Sequence, residues 1–152
     1  MPTSSASAVW EGVLRNGRGH FQAGSGAFEG DYSFATRFEN ARGTNPEELI
    51  AAAHAACLSM ALSAGLEKSG TPATRISTKA SCTVDKVGDG FKITRMRLEV
   101  RGKVPGLDQS GFAKAAEDAK NGCPVSTALR GNVQFELDAR LEEMEPVRSG
   151  RG

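Results

Sequence analysis

The sequence predicts one α+β domain, on three observations. Small and apolar residues recur at helical spacing over 45–70 and again over 108–121. The segments around them alternate apolar and polar residues, as half-buried strands do, and glycine-rich turns mark the joints. The resulting order, β-β-β-α-β-β-α-β, puts strands and helices in blocks rather than in strict βαβ units.

Residues 8–38 read as a meander of three short strands, Val9–Leu14, His20–Ala23 and Tyr32–Phe38. Asn16-Gly17 and Gly24-Ser25-Gly26 separate them, and Asn-Gly suits a tight hairpin because both residues tolerate positive φ. A well-signalled helix follows. Asn45 is placed to cap it, Pro46 takes the first helical position, where no N–H is needed, and Glu48 stands three residues after the cap. Leu49, Ile50, Ala53, Cys57, Met60, Ala61 and Ala64 share its apolar spacing, and Gly70 and Pro72 end it. Arg75–Val87 and Gly90–Val104 form a hairpin about Gly88-Asp89-Gly90. Asp108 caps a second helix to Asn121, Gly122 breaks it, and Pro124 opens a short third helix through Leu129. Val133–Leu141 alternates as the last strand. No internal repeat or interior linker interrupts the chain, so 1–152 reads as a single domain. Its polar ends, 1–7 and 142–152, are expected to be loose.

Composition narrows the function classes. A net charge of +1 offers no field for nucleic acid or anionic membrane, and the basic residues are scattered among acids. The stretch Leu49–Leu66 carries His54 and several serines and alanines, which reads as too interrupted for a membrane span. The start lacks the basic-then-apolar order of a signal peptide, so the expected location is cytoplasmic. Two histidines without carboxylates at ligand spacing give no metal site, neither glycine cluster opens a helix as phosphate-binding loops do, and no G-x-S-x-G is present.

That leaves the cysteines. Cys57, Cys82 and Cys123 are widely spaced, with no C-x-x-C, and do not form a disulfide scaffold. By position alone Cys57, mid-helix among alanines, reads as a small buried hydrophobe. His54 lies three residues before it on the same face and reads as an ordinary helix histidine, within reach of the thiol. Cys123, between Gly122 and Pro124, sits at a helix start, where backbone N–H groups favour a thiolate; an inert cap cysteine is the alternative. Cys82 reads as filler in an alternating strand.

Two longer blocks go beyond periodicity. The run Thr44–Leu62 (TNPEELIAAAHAACLSMAL) and the run Ala119–Ser126 (AKNGCPVS) resemble the two cysteine motifs of the OsmC/Ohr family of peroxidases. Thr36-Arg37-Phe38-Glu39 and Val104-Pro105-Gly106-Leu107-Asp108 are similar to the OsmC branch in particular. The resemblance spans about Trp10 to Arg140, in order and with compatible spacing.

The resemblance implies an OsmC-like fold, with antiparallel sheets, a central helix and an intertwined homodimer. It implies reduction of organic hydroperoxides in oxidative and osmotic stress defence, with no bound cofactor or metal. Cys57 would be the peroxidatic cysteine, passing through a sulfenic acid, and Cys123 would resolve it to an intramolecular disulfide. Arg37 would hold the thiolate by charge, Glu47 would orient Arg37, and an external dithiol, lipoyl groups among the choices, would reopen the disulfide. One continuous helix would separate Glu47 from Cys57 by about 15 Å along its axis. Arg37 and Glu47 are therefore expected to complete the site around Cys57 of a second subunit. Leu58, Met60, Phe38 and Phe112 are the expected apolar surround for the substrate's tail. Two rival readings remain: a Cys57–His54 acyl-transfer enzyme, which leaves Cys123 idle, and a non-catalytic redox sensor or binding module on the same fold.

Overall fold

Local caps and turns determine where each element starts and stops. The computed structural model describes residues 1–142, which divide between two compact units, 1–49 and a second beginning at Ile50. The charged tail lies outside the described residues except for Glu142, whose N–H donates to the Gly102 carbonyl at 2.8 Å and whose carboxylate faces Arg75 and Lys103.

In the first unit β1 (Ala6–Glu11), β2 (Arg18–Ala23) and β3 (Glu29–Tyr32) form an antiparallel sheet in that order. Two residues expected to be loose, Ala6 and Ser7, pair with Ala23 and Gln22. The first connection differs from the expected two-residue turn. Glu11 pairs with Arg18, so the chain leaves the sheet at Gly12, where φ is +94°, and the Trp10 indole N–H bonds the Gly12 carbonyl at 3.0 Å. That bond and the left-handed glycine end β1 before Asn16-Gly17 can act as a hairpin.

The third expected strand, Tyr32–Phe38, is also corrected. After Tyr32 the chain enters a short helix, α1 (Phe34–Phe38). Ser33 caps it: its hydroxyl accepts from the Thr36 N–H, and the Thr36 hydroxyl accepts from the Ser33 N–H. This reciprocal box satisfies two N–H groups that a strand would have sent to a neighbour. Arg37 is thereby a helical residue.

Helix α2 (Pro46–Lys68) begins within the first unit and continues through the second. Asn45 Oδ1 accepts from the Glu48 N–H at 2.8 Å, as the cap reading requires. At the other end Gly70, at φ +87°, donates to Glu67 and Thr71 donates to Leu66, a Schellman termination. By length and apolar content α2 would also suffice to cross a bilayer, so the sequence is not too interrupted for that. Leu58, Leu62 and Leu66, spaced four apart, instead seal into the core of the second unit, while Met60 is 76 % exposed.

The rest of the core comes from a second sheet, β4 (Arg75–Val87), β5 (Gly90–Lys103) and β6 (Gln134–Leu141), in that order. Met96, Leu98 and Val100 alternate along β5 and are fully buried. Gly102 continues that face, and the Phe112 ring of α3 (Gln109–Gly122) lies where its Cβ would be, at 2.5 Å. β4 and β5 are antiparallel, with Val87 opposite Gly90 across a Gly88-Asp89 turn. The last pairing departs from the antiparallel expectation: β6 lies parallel to β5. The chain between them is long enough to reverse direction because α3 and α4 (Pro124–Leu129) fill it, a βαβ crossover inside an otherwise antiparallel arrangement.

Candidate functional site

Four residues carry the expected chemistry, and the structure brings them together as two pairs. In the first unit Arg37 and Glu47 form a bidentate bridge: Nε donates to Oε1 and Nη2 to Oε2, each at 2.9 Å. Local structure sets this up. Asn45 caps α2 with its Oδ1 and, with its Nδ2, donates to the Thr36 carbonyl at 3.0 Å, which ties the start of α2 to α1. Arg37 then leaves the last turn of α1 toward Glu47 in the first turn of α2. Glu47 is buried, so its charge needs this partner. The hydrogen bond to Glu47 raises the Arg37 pKa above its ordinary value against the opposing effect of burial, and the guanidinium also lies 5.2 Å from the centre of the Phe38 ring.

In the second unit the Sγ atoms of Cys57 and Cys123 are 2.8 Å apart, and both are free thiols. Cys57 sits mid-way along α2 and is half-buried; Cys123, at the junction of α3 and α4, is fully buried. The junction is made by chemistry visible in the sequence. The Cys123 N–H closes α3 onto Ala119, and Pro124, lacking an N–H, starts α4.

The two thiols titrate in opposite directions. Burial, then the hydrogen bond to Cys123, pushes Cys57 up, against a lowering contribution from the Val125 N–H. Burial also works to raise Cys123, but hydrogen bonds from Cys57, from the Ser126 N–H and hydroxyl and from the Val125 N–H outweigh it and bring Cys123 down. The pair therefore shares its first negative charge in favour of Cys123, where the donors converge.

A buried polar pair, His54 and Ser126, joins the same two helices, and the sequence pattern of either helix alone does not mark it. His54 Nε2 is 2.7 Å from Ser126 Oγ, both side chains are fully buried, and the ring edge meets Phe135. Burial lowers the His54 pKa and keeps the ring neutral. The signal was a mirrored spacing: His54 and Cys57 are three apart on α2, and Cys123 and Ser126 are three apart at α4. Each i, i+3 pair presents one face, and the faces meet atom for atom.

Two expectations are corrected. The His54 nitrogen within reach of α4 engages Ser126 rather than Cys57, so no Cys57–His54 dyad exists for acyl transfer. Leu58 and Phe112 are sealed in the core and offer no wall to a substrate's tail. Cys82, on β4 opposite Met96, packs against the same core. Among the described residues no group of three or more His, Cys, Asp or Glu is placed to hold a metal ion.

Comparison with known proteins places this arrangement. The profile of the OsmC-like protein family matches residues 39–138, a span that includes Glu47 and both cysteines of the pair. The chain is 47 % identical over 136 residues to peroxiredoxin OsmC of Escherichia coli (strain K12), covering 89 % of this chain and 94 % of that protein. It is 36 % identical over 97 residues to an organic hydroperoxide resistance protein of Xanthomonas axonopodis pv. citri (strain 306), covering 62 % and 66 %. Among solved structures, an organic hydroperoxide resistance protein OsmC from Legionella pneumophila superposes with a TM-score of 0.77 at 26 % identity, covering 92 % of this chain and 98 % of that one. With this fold, this pair of cysteine motifs and 47 % identity to a peroxiredoxin OsmC over most of both chains, the chain belongs to the OsmC-like family.

Proposed function

We propose that this chain is a thiol peroxidase that reduces organic hydroperoxides to alcohols with electrons from a dithiol. The observation that carries the reading is the cysteine pair, a half-exposed Cys57 whose sulfur is 2.8 Å from a buried Cys123. An accessible thiol can meet a peroxide, and a buried one at that distance can meet only its product. Relatives named peroxiredoxin and organic hydroperoxide resistance protein support the same chemistry.

The Cys57 thiolate attacks the hydroperoxide; an S–O bond forms, the O–O bond breaks, and the alkoxide takes a proton and leaves as alcohol. The Cys123 thiolate then attacks the sulfur of the Cys57 sulfenic acid; an S–S bond forms, and the oxygen leaves as water after taking a proton. A dithiol, protein-bound lipoyl groups being one form, reduces the disulfide by exchange and is itself oxidised to a disulfide. The reaction needs no bound cofactor, and its setting is the cytoplasm.

The first step needs a thiolate at Cys57, whose pKa this chain's second unit raises. A cation must offset that. α2 runs unbroken from Pro46 to Lys68, so Glu47 and Cys57 are about 15 Å apart along its axis. Arg37, oriented by Glu47, serves Cys57 of a second copy of the chain, and the working unit is a homodimer with two shared sites.

The cysteines are tested by following loss of cumene hydroperoxide in the presence of a dithiol. Cys57→Ser is expected to abolish turnover, Cys123→Ser to oxidise Cys57 without closing the disulfide, and Cys82→Ser to turn over as the parent does. Full activity in Cys57→Ser would overturn the proposal.

A further inference from the structure

His54 and Ser126 take no part in the steps above, yet both are fully buried and bonded to each other, on the two helices that carry Cys57 and Cys123. We infer that they form a hydrogen-bond chain, His54 Nε2–H to Ser126 Oγ and Ser126 O–H to Cys123 Sγ, that holds Cys123 as the thiolate which resolves the Cys57 sulfenic acid. The inference rests on the peroxidase reading and adds a residue touching the reacting sulfur, Ser126, and a positioning residue, His54.

Donor counting orients the chain. Ser126 has one hydroxyl proton, and in the inferred chain it is directed to the sulfur of Cys123, which caps the same helix three residues earlier and whose thiolate that hydroxyl favours. With that proton directed to sulfur, Ser126 Oγ must accept from His54, which places the imidazole proton on Nε2. His54 Nδ1 is then left with a bare lone pair, and it is the buried side-chain polar atom with no hydrogen-bond partner among the described residues. The opposite direction would bury an N–H donor at that nitrogen with nothing to accept it and would turn the Ser126 proton away from the sulfur. A neutral histidine suits the role, because burial disfavours its charged form and a neutral ring still donates one proton.

In the resolving step Cys123 arrives as a thiolate, its S–S bond to Cys57 forms as the S–O bond breaks, and the departing hydroxide takes a proton from solvent. His54 and Ser126 keep their protons throughout. The chain is therefore ready again when the dithiol expels Cys123 as a thiolate.

The experiment is a rapid-quench single turnover of the full chain with one equivalent of cumene hydroperoxide and no dithiol. Mass spectrometry counts dimedone-trapped sulfenic acid at Cys57 and the Cys57–Cys123 disulfide, and thermal unfolding confirms that each variant is folded. Ser126→Ala is expected to slow disulfide closure about tenfold relative to Cys57 oxidation in the same burst, the loss expected for one charge-assisted hydrogen bond, with sulfenic acid accumulating. His54→Phe keeps a ring against Phe135 without a nitrogen and is expected to slow closure in the same direction by a smaller factor; it decides the matter should Ser126→Ala not fold. Closure at the parent rate in either folded variant would overturn the inference. Absence of both sulfenic acid and disulfide in the parent chain would overturn the peroxidase reading instead, so the two failures are distinguishable.

Discussion

Replacing Glu47 by Gln tests the bridge on which the proposed site depends, because it removes the charge and nearly preserves the shape. Both carboxylate oxygens are used, at 2.9 Å each, by Arg37 Nε and Nη2. Gln offers one carbonyl oxygen, and its amide would set an N–H against a guanidinium N–H. Removing one partner of a fully buried pair costs about 3–5 kcal/mol, whereas a fully exposed pair contributes about 1 kcal/mol or less. Glu47 is at the buried limit but the Arg37 side chain is 37 % exposed, so solvent takes up part of the freed guanidinium. An intermediate loss of about 2 kcal/mol follows, which includes the smaller loss of a negative charge in the first turn of α2. For a chain of this size that lowers Tm by about 4–8 °C. Thermal unfolding of Glu47→Gln, Arg37→Met and the double variant measures both the cost and the coupling, expected at about 1–2 kcal/mol. A Glu47→Gln midpoint within about 1 °C of the parent, or a coupling below about 0.3 kcal/mol, would refute the reasoning.

Two further outcomes are expected. If Arg37 serves the Cys57 of a second copy, unfolding and refolding inactive Cys57→Ser and Arg37→Ala chains together restores hydroperoxide turnover, because one of the two sites in each mixed dimer keeps both residues; no recovery in mixtures shown to contain mixed dimers would exclude sharing. Stability should also fall as pH drops below the ordinary histidine value of 6.5. The folded state holds His54 below that value, so the unfolded chain binds the extra proton first; the contribution is full above pH 6.5 and is lost as pH falls toward the folded pKa. Urea midpoints from about pH 8 to about pH 5 are expected to show this component in the parent and to lack it in His54→Phe; an identical pH dependence in both would count against a buried neutral His54.

Much of the fold was legible because its signals are local. Asn45 and Gly70 bound α2 through hydrogen bonds within a few residues of themselves, Pro46 fits its first position for want of an N–H, and the short Gly88-Asp89 turn sets the β4–β5 register as locally. α1 carries a strand-like alternation, and the Ser33–Thr36 box over the same residues overrides it by satisfying two N–H groups. The parallel seat of β6 had no local signal. It follows from α3 and α4 filling the connection and from the packing of Phe112 against Gly102, and neither is visible in the alternation of Val133–Leu141.

The candidate site divides along the same line. Local signals were enough for the helix that carries Cys57, for the break that starts α4 at Cys123 and, through two motifs, for the family. That Cys57 and Cys123, 66 residues apart, bring their sulfurs to 2.8 Å was decided only by tertiary structure, as was the seating of His54 on Ser126. The reason is physical: a cap or turn is stabilised by groups adjacent in the chain, whereas a contact between distant residues exists only once a shared core fixes both elements that carry it.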